Sequence, residues 1–461
     1  MNQRYSPFLL LALLLIIGSC KVTKTYQAPE APGDGLFREV HTTDTTTMAS
    51  LSWNQVFTDT FLQGLIAEGI AQNLDLKVAY TRIGQAQAYY QQAQAAFWPT
   101  LNANAGISAA RLSVAQGFGI RTHATQYQLG LTSAWEADIW GRLRSNRRAS
   151  LASLLQTEAA ARTVQTGLVA TIATYYYSLL ALDRQIGITE LTVRNWDTTV
   201  QTMQALKDAA SVTQAAVVQS EAQRYAAEVT LPDLKQQVRE TENALSILLN
   251  REPAAIRRGR LEDQRQPAVL STGVPAQLLA YRPDVQQAEQ NLRYSFELTN
   301  VARTYFYPTL SLTGSAGISS LQLSQFFSPE ALAANIGAGL LQPIFNQRLN
   351  RTRLAVAELQ QQAALLDFRS TLLTAGQEVS NALSLYGTAV EKMQVRTNQL
   401  TALERSVDYS KELLRNGFAN YIEVITARQS LLQAELGSVN DRLQQLQATV
   451  NLYRSLGGGW K

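Results

Sequence analysis

The sequence predicts a mostly α-helical chain that also carries membrane β-strands, built from one unit used twice. Three observations predict it. First, Phe306-Tyr307-Pro308-Thr309-Leu310 echoes Phe97-Trp98-Pro99-Thr100-Leu101, with the two prolines 209 positions apart (308 − 99). A chain that repeats itself at a fixed long period contains two copies of one structural unit. Second, each copy passes from a polar helical stretch through the aromatic-Pro break into two segments of alternating polarity. Third, each then enters a very long stretch without proline. The expected chain has four β-strands and two long helical hairpins.

In chain order, residues 1–19 read as a signal peptide and 20–50 as a tether. The first repeat covers 51–252, a crossover 253–283 and the second repeat 284–461. Arg4 supplies a positive start and Phe8 to Ile17 an apolar run. That run is far shorter than the ~20 residues a spanning helix needs, so it reads as an export signal. It ends in Ile17-Gly18-Ser19-Cys20, and Cys20 is the single cysteine of the chain. Small residues before a cysteine at this place resemble a bacterial lipobox, whose thiol is acylated. An incidental cysteine in a signal cut elsewhere is the alternative. Lys21 follows, whereas Asp there would have resembled an inner-membrane retention signal. The Thr, Pro, Gly and Asp of residues 21–50 look like flexible chain. No other apolar stretch reaches spanning length, so any further membrane crossing must be made by strands.

Strands are expected at about 100–110, 124–137, 309–320 and 333–343. In the first, Leu101, Ala103, Ala105, Ile107 and Ala109 alternate with Asn102, Asn104, Gly106 and Ser108. Tyr127, Leu129, Leu131, Ser133 and Trp135 alternate with Gln126, Gln128, Gly130 and Thr132 in the second. The third sets Leu310, Leu312, Gly314, Ala316 and Ile318 against Thr309, Ser311, Thr313, Ser315 and Gly317. The fourth sets Ile336, Ala338 and Leu340 against Asn335, Gly337, Gly339 and Leu341, a weaker alternation. Each is close to the ~9–11 residues of a tilted membrane strand. Trp98, Trp135, Trp140, Tyr307 and Phe345 crowd the ends nearest the helices, where an interfacial girdle places such rings. A soluble four-stranded sheet is the alternative, but its outer face would normally carry charge. Four strands leave two open edges that hydrocarbon does not tolerate. Other copies must complete them, and three copies would give twelve strands.

Proline is absent from 141–207 and from 346–415, and at 1.5 Å per residue each span approaches ~100 Å of helix. Breaks follow at 209–213 and 416–420, and return helices are expected over 214–250 and 421–456. Gly417 suits a helix-ending residue with positive φ. Apolar positions at spacings of three and four, such as Val424, Leu431, Leu432, Val439, Leu446 and Val450, also fit a solid coiled-coil rod.

Two segments carry a resemblance. Val274-Pro275-Ala276-Gln277-Leu278-Leu279-Ala280-Tyr281-Arg282-Pro283-Asp284 and the following residues to Leu292 resemble the signature of TolC-like outer-membrane efflux factors. So does Glu242-Asn243-Ala244-Leu245 through Pro253, with Asn250 where that family usually has Gly. The likeness runs from about Trp53 to Leu456 and is strongest to the acylated branch serving resistance-nodulation-division pumps. It implies a homotrimer: a 12-stranded β-barrel in the outer membrane, continued by a periplasmic α-helical barrel and girdled by short helices. The tip residues Ala209, Ser211, Gly417 and Asn420 would meet a periplasmic adaptor protein and an inner-membrane transporter. The resemblance also places Glu423 at the first position of an acidic ring that narrows the tip. The second position is Thr426, not an acid. A solvated Glu423 favourable to its helix dipole is the plain alternative. Arg282-Pro283-Asp284 reads as an ordinary helix start, with Pro at the first position and Asp against the dipole.

The implied function is a passive, lipid-anchored exit duct for small molecules driven by a proton-powered pump. Ducts for ATP-driven or protein-secreting exporters, or a structural envelope lipoprotein, are alternatives. Enzyme readings fail on the residues. His41 and His123 are distant and lack a cysteine pair for zinc. Gly117-Phe118-Gly119 lacks a third glycine, and no phosphate loop occurs. Glu262-Asp263 reads as a solvated pair. A net charge of +4 gives no nucleic-acid footprint. No enzyme, metal or other cofactor is expected.

Overall fold

The computed structural model describes residues 22–30, 33–38, 44–111, 123–265 and 271–461. Cys20, His41 and Gly117-Phe118-Gly119 lie outside them. Among the described residues the helices are α1 (Trp53–Val56), α2 (Thr60–Gln72), α3 (Leu74–Ala95), α4 (Arg142–Asp208), α5 (Gln214–Glu228), α6 (Thr230–Leu248), α7 (Leu278–Tyr281), α8 (Pro283–Thr304), α9 (Leu349–Arg415) and α10 (Tyr421–Ser455). The strands are β1 (Thr100–Arg111), β2 (His123–Ala137), β3 (Thr309–Ser320) and β4 (Leu332–Leu341).

The duplication is literal in these elements. Helices α3 and α8 each have 22 residues, β1 and β3 each 12, and α4 and α9 each 67. One expected element differs. The return helix over 214–250 is two helices, α5 and α6, meeting at Val229. Pro232 is the physical reason, because it has no N–H to donate and is tolerated only in a first turn. It therefore sits as the third residue of α6, where Asp233 also meets the helix dipole.

The chain forms two compact units, Met1–Pro29 with Arg82–Thr157 and Gln287–Phe368, and Glu30–Thr81 with Glu158–Gln286 and Arg369–Lys461. Each draws on both repeats, and every boundary after residue 30 falls inside a helix. The first unit holds one antiparallel sheet in the order β1-β2-β3-β4. Within it, the described residues 22–29 are tied down at Lys24 rather than loose, as the tether reading expected. Asn300 is fully buried, accepts the Lys24 amide at 2.9 Å and donates back to the Lys24 carbonyl at 2.9 Å.

In the second unit several of the described tether residues are also held. Phe37, Met48 and Ala49 are buried, and Thr47 bridges to Thr272. The core gathers Tyr176, Tyr453, Leu62, Ile66, Leu76 and Ile172. Tyr176 donates to Asp59 Oδ2 at 2.6 Å, and Gln264 donates to the same oxygen at 2.7 Å. Asp59 Oδ1 caps α2 through the Phe61 amide at 2.8 Å. Thus one carboxylate starts a helix and pins the polar crossover. Glu262 makes a surface pair with Arg184, consistent with a solvated role.

Candidate functional site

The sheet register places the four alternating segments on common faces. Asn102 pairs with Thr132, Thr132 with Ser315, and Ser315 with Asn335, giving a polar row across all four strands. The next row on the other face is apolar, running Ala103–Leu131–Ala316–Ala334, and Ala105–Leu129–Ile318–Leu332 follows it. No Lys, Arg, Asp or Glu occurs from Thr100 to Ala110, from Ala124 to Trp135, in β3 or in β4. Apolar side chains lie bare on the single chain: Ile107, Leu332 and Ile336 are 74%, 70% and 93% exposed. A face this apolar, backed by a polar uncharged one, suits lipid on one side and water on the other. The outer edges of β1 and β4 have no partner strand among the described residues.

At the base of the sheet, aromatic residues are fixed by backbone carbonyls. Trp135 Nε1 donates to Phe97 O and Trp140 Nε1 to Pro308 O, both at 2.8 Å. Trp140 also stacks on Tyr307 with centroids 4.9 Å apart. Trp98 and Phe345 are 76% and 84% exposed. Sequence reasoning missed the residues that start α4 here. Asp138 accepts from the Leu143 and Arg144 amides at 2.9 and 3.0 Å, while Gly141 turns the chain at φ +81°. An Asp followed by Gly just ahead of a long helix was the available signal. Tyr305 was also missed. Arg353 stacks over its ring at 4.0 Å and Asn350 donates to its carbonyl at 2.6 Å.

At the other ends of α4 and α9 the two turns are built alike. Ser211 N bonds Leu206 O and Ala210 N bonds Lys207 O, both at 2.8 Å. In the second turn Phe418 N bonds Leu413 O at 2.8 Å and Gly417 N bonds Leu414 O at 3.2 Å. Both are Schellman caps, with Ala210 at φ +58° and Gly417 at φ +73°. The same cap recurs after the return helices, at Asn250 and Gly457, with φ +53° and +94°. Asn can replace glycine at Asn250 because its short polar side chain tolerates this conformation. Ala209, Ser211, Gly417 and Asn420 are all exposed, and Asn420 caps α10 by accepting from the Ile422 amide. Glu423 and Thr426 are both exposed on α10, while Val424, Ile425 and Ala427 are buried.

Arg282, in the family-like signature, does more than precede a helix. It is 5% exposed and donates to Asp284, to Glu378 Oε2 at 2.8 Å and to Ser455 O at 2.9 Å. Trp460 Nε1 donates to Tyr281 O at 3.0 Å beside it. The C-terminal residues are thereby bound to the signature, a relation between distant segments that no local motif announces.

A family model described as outer membrane efflux protein matches residues 65–251 and 274–458. The chain belongs to this family. The antibiotic efflux pump outer membrane protein ArpC of Pseudomonas putida is 30% identical to this efflux protein over 458 residues, covering 96% of this chain and 94% of its own. The cation efflux system protein CusC of Escherichia coli is 27% identical over 457 residues, 97% of each chain. The solved outer-membrane channel OprN matches the efflux protein with a TM-score of 0.89 at 27% identity, covering 96% and 100% of the two chains. A solved structure of CusC gives 0.87 at 25% identity, covering 95% and 100%. Members of the family are channels rather than enzymes. Among the described residues no group of three metal-ligating side chains occurs, and no helix is long and apolar enough to cross a membrane.

Proposed function

We propose that this chain is the outer-membrane exit duct of a tripartite efflux system, a passive conduit for small toxic compounds. Three copies would join β4 of one to β1 of the next and close a twelve-stranded barrel. The observation that carries the reading is the register: uncharged polar rows on one sheet face, apolar rows on the other, and two edges unpaired among the described residues. In hydrocarbon those edges are untenable, so closure by sibling chains is the economical solution. The tip turns at Ala209–Ser211 and Gly417–Asn420 would receive a periplasmic adaptor, and energy would come from a proton-driven resistance-nodulation-division transporter. Acylation of Cys20 would anchor the chain to the outer membrane.

Glu423 and Thr426 would face the narrowed tip. Three Glu423 carboxylates in a ring would favour cations. Purified protein in planar bilayers should conduct as a trimer, and Glu423→Ala should weaken cation preference. Absence of any conductance would sink the duct. Unaltered selectivity in the variant would return Glu423 to a solvated helix-start role. Cys20→Ala should abolish palmitate labelling while leaving assembly intact.

A further inference from the structure

A cavity of about 780 Å³ lies in the sheet-bearing unit, between the segment 22–28, the start of α4 and the middle of α8. Its wall is fixed rather than fortuitous, because buried Asn300 holds both backbone polar groups of Lys24. Its charges are not all spent internally. Arg148 is neutralised by a bidentate pair with Glu297 at 2.7 and 2.9 Å, and Arg144 pairs with Asp138 at 3.0 Å. Lys24 and Arg293 remain, with no carboxylate within ion-pair distance among the described residues. Glu289 is the one unpaired acid in the lining.

That balance leaves one positive charge in excess. Arg293 lies over the Tyr26 ring at 5.8 Å, and the Tyr26 hydroxyl is buried with no hydrogen-bond partner among the described residues. Ile139 and Trp140 supply an apolar side, and Trp140 is tied to Pro308, the residue before β3. A ligand that fits has a single negative charge, oxygen acceptors and an attached apolar chain.

We propose that this cavity binds the phosphodiester headgroup of an anionic glycerophospholipid, with the phosphate on Lys24 and Arg293 and an acyl chain along Trp140. The assignment rests on the reading of the sheet as membrane-spanning, which sets Trp140 at the interface where headgroups lie. The excess charge matches one phosphodiester, while Glu289 faces the headgroup hydroxyls. An ethanolamine headgroup would bring a second ammonium into a site already positive.

Native mass spectrometry of the detergent-purified protein tests this, because bound lipid is resolved from any covalent anchor by mass. Phosphatidylglycerol should be retained about fivefold over phosphatidylethanolamine, and Arg293→Ala should reduce its retention about fivefold. Lys24→Gln, at an exposed position, should do so in part if the arginine variant fails to fold. Arg405→Ala, an exposed cation outside the cavity lining, should have no effect. Equal retention of the two lipids, undiminished binding by both variants, or displacement by millimolar inorganic phosphate would overturn the assignment. Channel conductance measured on the same preparation separates this outcome from failure of the duct itself.

Discussion

Gly130 and Gly317 face each other in the β2–β3 ladder, and a methyl group on Gly317 would overlap the Gly130 Cα and the Leu129 carbonyl. The obstruction is backbone on both counts, so no rotamer change relieves it. Gly317→Ala should destabilise the sheet by about 1–3 kcal/mol, the usual scale of overpacking. Gly314→Ala is the control, since its nearest obstacle is 4.0 Å away. Thermal unfolding in detergent should separate the two variants, and equal midpoints would refute the close approach.

The paired tip caps predict opposite effects from opposite substitutions. Ala210 holds a left-handed conformation that costs an L-residue roughly 1–2 kcal/mol, and Gly417 holds the same conformation freely. Ala210→Gly should therefore increase amide protection in the last turn of α4. Gly417→Ala should decrease it in the last turn of α9. Hydrogen exchange resolved by segment reads both, and identical signs would contradict the shared geometry.

Arg282 predicts a cost that exceeds that of any single partner. Its truncation to Ala removes the donor to the Ser455 carbonyl and the guanidinium shared by Asp284 and Glu378, worth about 3 kcal/mol. Glu378→Gln removes one of these contacts and should cost less. Arg282→Lys should recover little, because a point ammonium cannot reproduce a planar fork with several donors. Limited proteolysis of the C-terminal residues should follow the same ranking.

Alkaline pH should destabilise the fold through its buried tyrosines. Burial pushes the Tyr453 hydroxyl up to about 12 from an ordinary 10, against the opposing effect of a hydrogen bond with the Gly459 backbone. Below pH 10 neither folded nor unfolded chain loses this proton, so the full contribution is present. Between 10 and 12 the unfolded chain releases it first, and stability falls as pH rises. Tyr453→Phe should flatten that fall by about 1.4 kcal/mol per pH unit. A slope unchanged by the substitution would show that Tyr453 titrates normally.

The strands and the long helices were legible because their signals are periodic. Alternation alone assigned the faces that the register confirms, and an absence of proline marked both 67-residue helices. Gly417 announced its own turn, but Ala210 did not, since a non-glycine residue at positive φ leaves no mark in sequence. Pro232 was visible, yet its effect depends on whether a helix is continuing or beginning there. The packed segment 22–30 was read as loose because its composition is polar and its anchors, notably Asn300, lie 276 residues away. Long-range clasps of this kind, Arg282 on Ser455 among them, are fixed by tertiary geometry and have no local pattern.

Among the described residues the free edges of the sheet belong to different strands, β1 and β4. Joining them is therefore a head-to-tail operation, in which every copy offers one surface and receives another. A copy damaged only along β1 still presents a sound β4, so it would enter a ring it cannot close. Mixed populations would then lose far more function than the share of faulty chains suggests, and inheritance of such an allele would be dominant.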